Sequence, residues 1–372
     1  MHTIDSLDRI RNSFHGIFYK FRKSTRENLF LVVHSLLLSK NCQLPQIILQ
    51  MCSLLGTNFK ANEAKLDRFL KSKTLEIGDT AFRPLIQLVF KLLQERGFFE
   101  GRNLIPIVVD FTSHTNKFLI LSASIPFSGR AIPIYFSMRV YPQKTGSIDQ
   151  KKMERAFLRE LKAKLPRKYK YLILADRGFG NIRFLKNCSE YGFEYLLRTQ
   201  KSRNFEINET KQKLEDIKKN KDYQLVKIKD KTETRLVTSY LGKEKSWYLF
   251  TSLSKESWQE LISYYRSRFQ IEKMFQDQKS SGFDLEKSKI QRYGKFKKLL
   301  YCICIAQVLT IFTGDWIEEN CDEIKRKVCN THKSSLSVFQ LGIRAIRNFF
   351  QEVMLYLSLL IETANGFPKP PT

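Results

Sequence analysis

Residues 104–110 read LIPIVVD, an apolar run of the kind that forms a buried strand, and the run ends in an aspartate. Two further apolar runs, FLILSAS at 118–124 and AIPIYFS at 131–137, are separated by residues of turn-forming composition. We therefore predict a strand followed by a β-hairpin, with Asp110 at the carboxyl end of the first strand.

A second apolar run with the same ending occurs further along the chain, where residues 170–176 read KYLILAD. A charged amphipathic helix is predicted over Asp149–Leu165 before it, and a helix over Ile182–Tyr191 and a strand over 193–198 after it. The order of elements is then β-β-β-α-β-α-β. Apolar strands that alternate with amphipathic helices imply an α/β fold, with a mixed sheet flanked by helices.

The first hundred residues carry a different pattern, because apolar residues recur there at helical spacing. We predict an all-helical N-terminal domain over 1–100, with helical segments at Asn28–Ser39, Pro45–Leu55, Glu63–Leu70 and Phe82–Arg96. A Gly-Thr-Asn turn joins two of these segments, and the second of the two is rich in lysine and arginine. This pattern is compatible with a helix-turn-helix DNA-binding element and also with an ordinary two-helix corner.

The α/β pattern stops at residues 200–245, which are highly charged and contain only short alternating stretches. We predict a β-rich insertion at about 200–253 that ends in the strand WYLFTSL. Residues 299–312 form an apolar run that is short for a bilayer and contains a glutamine, so we predict a buried core helix. The α/β domain is then expected over 101–315 and a helical C-terminal region over 316–372.

The net charge indicates a polyanionic partner. The 372 residues include 64 Lys and Arg against 37 Asp and Glu, which gives a formal net charge of +27. Nucleic acid is the first candidate, because neutralising phosphates requires many dispersed cations, and an anionic membrane surface is the second. The cations are spread along the chain rather than gathered on one amphipathic helix, which argues against the membrane.

The cysteines and histidines argue against a zinc site. The seven cysteines contain no CxxC pair, and the five histidines are scattered. The N-terminal residues show no apolar signal-peptide stretch. We therefore expect a soluble protein of a reducing, cytoplasmic compartment.

Residues 265–279 read YRSRFQIEKMFQDQK and contain Tyr265, Arg268, Glu272 and Lys279 at intervals of 3, 4 and 7. On one continuous α-helix these side chains fall on a single narrow stripe. One acid flanked by two cations and a phenol is suited to holding a metal ion beside a phosphate. The alternative is a solvated helix face with i,i+4 ion pairs.

The two strand-end aspartates and the helical glutamate suggest a metal centre. If the strands at 104–110 and 170–176 are neighbours, Asp110 and Asp176 meet at the edge of the sheet where ligands usually bind. Clustered carboxylates repel each other unless a cation neutralises them, and oxygen-only ligands select Mg²⁺ or Mn²⁺. Two such ions support phosphodiester cleavage. Each aspartate alone would also be explained as a helix cap or turn residue.

The spacing Y-x2-R-x3-E-x6-K, with VVDFT around Asp110 and LADRGFG around Asp176, resembles DDE transposases of bacterial insertion sequences. The resemblance is to their insertion-sequence-four group, covers roughly residues 100–315 and implies a ribonuclease-H-like core. It implies that Asp110, Asp176 and Glu272 are catalytic and hold two Mg²⁺ or Mn²⁺ ions.

The same resemblance implies a DNA-binding set. Tyr265, Arg268 and Lys279 would hold phosphates at the transposon end. Arg198 would contact end DNA, and Trp247 would stack on a base that is flipped out during hairpin formation. Stacking and guanidinium–phosphate pairing both suit these residue types.

The reaction that the resemblance implies is cut-and-paste transposition, with nicking, hairpin formation and strand transfer at one site. The implied partners are the inverted-repeat ends, target DNA and a second subunit in a homodimeric synaptic complex, in the bacterial nucleoid. One departure is that the chain after the core helix is shorter than the helical region which pairs subunits in better-known members. The subunit interface therefore stays open.

Two rival functions stay open as well. The chain could be a domesticated or inactive descendant that only binds DNA, although a binding module has no need of three clustered acids. It could also be a host nuclease of the ribonuclease-H type without strand transfer, against which the insertion with Trp247 argues.

Overall fold

The computed structural model describes residues 11–39, 41–73, 79–141, 150–202, 204–207, 210–216, 222–228, 232–240, 246–329 and 336–350, together with 353 and 356. Its centre is a sheet whose described strands lie in the order β3-β2-β1-β4-β5-β10-β9-β8-β6-β7. These strands are β1 (Leu104–His114), β2 (Phe118–Phe127), β3 (Arg130–Val140), β4 (Lys170–Ala175), β5 (Glu194–Arg198), β6 (Asn204–Ile207), β7 (Thr210–Lys213), β8 (Asp222–Ile228), β9 (Thr232–Tyr240) and β10 (Ser246–Thr251).

Helices pack against this sheet, and those before β1 form the N-terminal part of the chain. Helix α1 is described over 11–17. The others are α2 (Lys23–Leu38), α3 (Leu44–Leu55), α4 (Phe59–Lys71), α5 (Asp79–Glu95), α6 (Gln150–Lys164), α7 (Ile182–Glu190), α8 (Trp258–Ser267), α9 (Gln270–Gln276), α10 (Tyr293–Asn320), α11 (Asp322–Val328) and α12 (Val338–Asn348). The predicted C-terminal helical region includes α11 and α12, and its residues after 350 lie outside the described residues except for 353 and 356.

The first five strands have the predicted ribonuclease-H-like arrangement. Strand β1 is antiparallel to β2, which is antiparallel to β3, and on its other side β1 is parallel to β4, which is parallel to β5. The parallel pairs form because helices α6 and α7 return the chain across the sheet. The predicted α/β fold with a mixed sheet is therefore confirmed.

The β-rich insertion continues this sheet instead of folding beside it. Strand β10 pairs antiparallel with β5, with Leu249 opposite Arg198, and β9 then pairs with β10. The strand predicted at 247–253 is thus the one that joins the insertion to the core. Its side chains alternate between the two faces of the sheet, as the strand period requires.

Apolar residues cover both faces of the sheet. The larger cluster contains side chains from the N-terminal helices, β1–β3, α6, α7, α10 and α12. The smaller cluster, on the other face, places Trp247 of β10 against side chains of α8 and α9 such as Tyr265 and Met274. Helices α8 and α9 therefore pack against this face of the sheet.

Helix α10 runs through the larger cluster. It is long and apolar enough to cross a membrane, but 94% of its most apolar window is buried inside the fold. The sequence-based prediction of a core helix over 299–312 agrees with this burial. At its amino-terminal end, Lys298 donates to the Leu70 carbonyl oxygen at 3.1 Å, which ties α10 to α4.

Helices α3 and α4 form the predicted two-helix corner. Gly56 ends α3 with φ of 63°, a left-handed conformation that glycine adopts without strain. Asn58 then caps α4, because its side-chain oxygen accepts a hydrogen bond from the backbone N–H of Ala61. DNA binding by this corner remains a prediction, as do the domain boundaries at residues 100 and 315.

Candidate active site

The register of β1 and β4 brings two aspartates side by side. Val109 lies opposite Ala175 in the parallel ladder, and Asp110 and Asp176 are the next residues on the two chains. Asp110 accepts a hydrogen bond from the Phe111 N–H, and Asp176 accepts one from the Gly178 N–H, each at 2.8 Å. Both carboxylates are therefore held at the edge of the sheet by local backbone.

The Asp110 carboxyl has a raised pKa, for two reasons that both disfavour its charged form. Burial is the main cause that raises the pKa of the Asp110 carboxyl to about 6, and the nearby charge of Asp176 raises it further. The Phe111 N–H and the Arg268 guanidinium act in the opposite direction. A cation placed between the two carboxylates would relieve this cost.

The stretch 265–279 is not one continuous α-helix, yet Tyr265, Arg268 and Glu272 still share a face, because Arg268 contacts both the Tyr265 ring and the Glu272 carboxylate. Helix α8 ends at Ser267, and the chain tightens there, with the Arg268 N–H donating to the Tyr265 carbonyl oxygen at 3.1 Å. Helix α9 then begins at Gln270, and it widens into a π turn at Asp277–Ser281. Tight and wide turns both change the angle between successive side chains, which sequence spacing does not reveal.

The four motif side chains differ in exposure as a result. Tyr265 is fully buried and Arg268 is 5% exposed. The side chain of Glu272 is 54% exposed, and Lys279 is half-buried. The solvated-face alternative is therefore excluded for Tyr265 and Arg268.

Arg268 links two of the acidic residues. Its Nη2 donates to Glu272 Oε1 at 2.7 Å, and its Nη1 lies 3.7 Å from Asp110 Oδ2. The guanidinium carbon also lies 4.3 Å from the centre of the Phe269 ring. The Arg268 guanidinium thus occupies a position between two carboxylates, to which a metal ion would also be attracted.

The three acidic residues supply the oxygen ligands that a hard divalent ion prefers, and two of them already lie side by side. Among the described residues, no three His, Cys, Asp or Glu side chains lie close enough together to form a metal cluster. Asp110 and Asp176 supply oxygen ligands on adjacent strands, as Mg²⁺ and Mn²⁺ prefer. Glu272 would join them after its ion pair with Arg268 opens.

Trp247 and Tyr265 pack together under this edge. Trp247 is 4% exposed, and its ring centre lies 4.9 Å from that of Tyr265 in an edge-to-face contact. Burial raises the pKa of the Tyr265 phenol to about 12. The solvent-exposed aromatic ring here is that of Phe269, which is 39% exposed and lies 6.0 Å from Trp247. The motif search missed Phe269, because its role depends on the break between α8 and α9.

Arg198 and the loop after Asp176 meet at the end of β5. A Cβ atom on Gly180 would lie 2.0 Å from the Arg198 carbonyl oxygen, so glycine is required for this close approach. Thr199 donates a hydrogen bond to the Gly180 carbonyl oxygen at 3.0 Å. The charge of Arg198 also acts on the Tyr265 phenol, which places Arg198 near the motif residues.

Lys279 lies near His114, the last residue of β1. Its charge is among the causes that lower the pKa of His114, after burial, which is the largest. The structure therefore groups Asp110, Asp176, Arg268 and Glu272 closely, with Tyr265, Trp247 and Arg198 beside them and Lys279 at the margin.

Comparison with known proteins finds one matching family. Residues 135–309, a little under half of the chain, match the family described as the transposase DDE domain. This match supports a DDE transposase; it includes Asp176 and Glu272 and begins after Asp110.

The structural comparison gives a distant likeness. The chain resembles the piggyBac transposase in a synaptic complex with hairpin DNA, with 14% identity and a TM-score of 0.41, over 97% of this chain and 82% of that one. A comparison with curated proteins finds no match.

Proposed function

We propose that this chain is a DNA transposase that cuts and joins DNA by phosphoryl transfer at the Asp110–Asp176 edge. The observation that supports it best is the adjacent placement of two aspartates at parallel strand ends, with Glu272 joined to Asp110 through Arg268. The match of residues 135–309 to the transposase DDE domain agrees with this function.

In this proposal Asp110, Asp176 and Glu272 hold Mg²⁺ or Mn²⁺, with two ions as the resemblance to the insertion-sequence-four group implies. When bound, such ions neutralise charge on the scissile phosphate and activate an attacking oxygen. The protein's own contribution is to orient the two aspartate carboxylates through hydrogen bonds from the Phe111 and Gly178 N–H groups. Positioning and charge neutralisation supply most of the catalysis in such a reaction.

The cationic residues are assigned to DNA. Arg268 and Lys279 would bind phosphate oxygens, with the Tyr265 hydroxyl nearby, and Arg198 would contact the transposon end. Trp247 would stack on a flipped base after moving out of its present contact with Tyr265, or would support the exposed Phe269 in that position.

The proposed pathway is cut-and-paste transposition through a hairpin, by a homodimer that holds two inverted-repeat ends and then target DNA. The net charge of +27 supports extended contact with DNA phosphates. We place the protein in the bacterial cytoplasm, in association with the nucleoid.

The test is a cleavage assay on a supercoiled plasmid that carries the gene with its native flanking DNA. We expect purified protein with Mg²⁺ or Mn²⁺ to break the plasmid at two inverted ends, and the Asp110→Ala variant to make no breaks. Glu323→Ala, which removes an exposed acid on α11, is the matched control and should cleave normally. Tight DNA binding without breaks under either metal would instead favour a DNA-binding descendant.

A further inference from the structure

The segment between Glu272 and Lys279 has an unusual backbone. Helix α9 ends at Gln276, and residues Asp277–Ser281 form a π turn, in which i→i+5 hydrogen bonds replace the α-helical ones. The turn closes where the N–H of Phe283 donates to the Asp277 carbonyl oxygen at 3.2 Å. Such wide turns are rare, and many of them lie at functional sites.

Side chains from distant helices bind the carbonyl oxygens around this turn. On the amino-terminal side, Gln307 of α10 donates to the Met274 carbonyl oxygen at 3.3 Å. On the carboxyl-terminal side, α12 supplies Gln340, which donates to the Ser281 carbonyl oxygen at 2.6 Å. Arg347, also on α12, donates to the Gly282 carbonyl oxygen at 3.1 Å. Three carbonyl oxygens in and around the turn thus accept hydrogen bonds from side chains of other helices.

Two side chains of the turn, those of Asp277 and Gln278, are buried and make polar contacts. Arg130, the first residue of β3, places its Nε 3.0 Å from Asp277 Oδ2, and the Asp277 side chain is 3% exposed. Gln278 donates to Gln307 Oε1 at 2.8 Å in a fully buried contact. A buried ion pair adds little stability compared with apolar packing, but it fixes one geometry, because either charge alone is expensive to bury.

Lys279 is the residue of the π turn that follows Asp277 and Gln278. It is half-buried and forms no ion pair with any described residue, whereas its neighbours Asp277 and Gln278 are fixed. The wide turn rotates Lys279 away from the face it would occupy on an unbroken α-helix. Burial raises the pKa of Asp277 to about 7, and the nearby Arg130 guanidinium acts in the opposite direction.

We propose that Arg130 and Asp277 are positioning residues which, through the π turn, direct the Lys279 ammonium group toward a phosphate of bound DNA. The inference rests on the proposed function, in which Lys279 binds that phosphate. The predicted motif contains neither Arg130 nor Asp277. Their role is to hold the backbone of Asp277–Ser281 so that Lys279 keeps one position relative to Glu272.

The test is a double-mutant cycle on plasmid cleavage, with Arg130→Gln, Lys279→Ala and the double variant. We expect Arg130→Gln to slow cleavage at least about tenfold in the wild-type background, since small misplacements near the reacting groups are costly. It should have no further effect in the Lys279→Ala background, because the group that it positions is already absent. Arg139→Gln, the same change at an exposed residue of the same strand, is the control.

A general loss of fold would slow both backgrounds equally, so effects that multiply would overturn the inference while leaving the proposed function intact. Thermal unfolding of each variant separates the two causes. If Arg130→Gln unfolds early, Arg130→Lys and Asp277→Asn are used in the same cycle, with the same expected outcome. Wild-type protein that does not cleave under either metal would overturn the proposed function and this inference together.

Discussion

Arg268 has two sets of possible partners, and it cannot serve both at once. Its guanidinium group contacts Glu272 and lies near Asp110, whereas the proposed function assigns it to a DNA phosphate. A cation that binds Asp110 and Glu272 must compete with this arginine. DNA that draws Arg268 away should therefore favour metal binding, and by reciprocity bound metal should favour DNA binding.

This competition gives a prediction for metal affinity. In the absence of DNA, Arg268→Gln should bind Mn²⁺ about tenfold more tightly than the wild type, which corresponds to about 1.4 kcal/mol. Titration calorimetry measures this affinity directly and does not depend on cleavage. Arg266→Gln, an exposed neighbour on α8, should leave the affinity unchanged. Weaker or equal binding by Arg268→Gln would show that the arginine does not compete with metal.

The Asp110 carboxyl gives a prediction for pH dependence. Because the pKa of Asp110 is raised to about 6 from 3.8, the folded protein binds this proton more tightly than the unfolded chain. The contribution of Asp110 to stability therefore falls as pH rises from about 4 to about 6 and then stays low.

Asp110→Asn should accordingly raise the free energy of unfolding at pH 8, by about 1–3 kcal/mol, and change it little at pH 4. Denaturant unfolding without divalent ions at both pH values measures the difference. Asp322→Asn, an exposed acid at the start of α11, serves as the control. A stabilisation that is equal at both pH values would contradict the electrostatic explanation.

At the scale of residues, the sequence predicts the acidic pair well and its surroundings less well. Asp110 and Asp176 each end an apolar run, and parallel pairing of those runs is enough to bring them together. Arg130 and Asp277 are 147 positions apart by residue number, so no local pattern links them. The exposed position of Phe269 depends on a helix break that no residue in the stretch marks.

At the scale of elements, strand and helix types were predictable, and irregular turns were not. Residues 265–279 contain no Gly or Pro, so helical spacing extends across them without interruption. The end of α8 at Ser267 and the π turn at Asp277 both lie where side chains contact β1, β3 and α10, and such tertiary contacts can override the local preference for a regular helix.

The loop after β4 gives a prediction at this scale. Gly180→Ala should lower the free energy of unfolding by about 1–3 kcal/mol, because the added Cβ would lie 2.0 Å from the Arg198 carbonyl oxygen. Thermal unfolding measures this change. Gly294→Ala is the matched control, since nothing lies within 4 Å of its added Cβ. An unchanged unfolding temperature for Gly180→Ala would show that the loop can move away from β5.

At the scale of the whole molecule, one apolar cluster joins the N-terminal helices to the α/β sheet. Side chains of α2, α4 and α10 lie in the same cluster as those of β1–β3. The helical spacing of apolar residues indicated helices before the sheet. It could not indicate that α10 packs against them, since that contact joins residues more than 200 positions apart.

The high net charge gives a prediction for DNA binding. The slope of log K against log salt concentration should be about −5 or steeper, since each neutralised phosphate contributes about −0.9. If the α3–α4 corner contacts DNA, the double variant Lys60→Gln/Arg68→Gln should flatten the slope by about 1–2.

Fluorescence anisotropy with a labelled duplex measures both slopes. The control variant is Arg167→Gln/Lys170→Gln, which removes the same residue types from exposed positions at the start of β4, away from Asp176. Equal flattening by both double variants would show that the corner has no special part in DNA binding.

The pairing of β10 with β5 also constrains how the chain can be shortened. If residues 200–251, which include β10, were lost, β5 would become an edge strand with unpaired N–H and C=O groups, and the smaller apolar cluster would lose Trp247 and Leu249. Open edges of this kind join copies of a protein into aggregates. A shortened chain would therefore need another segment to cover β5, and without one we expect it to aggregate.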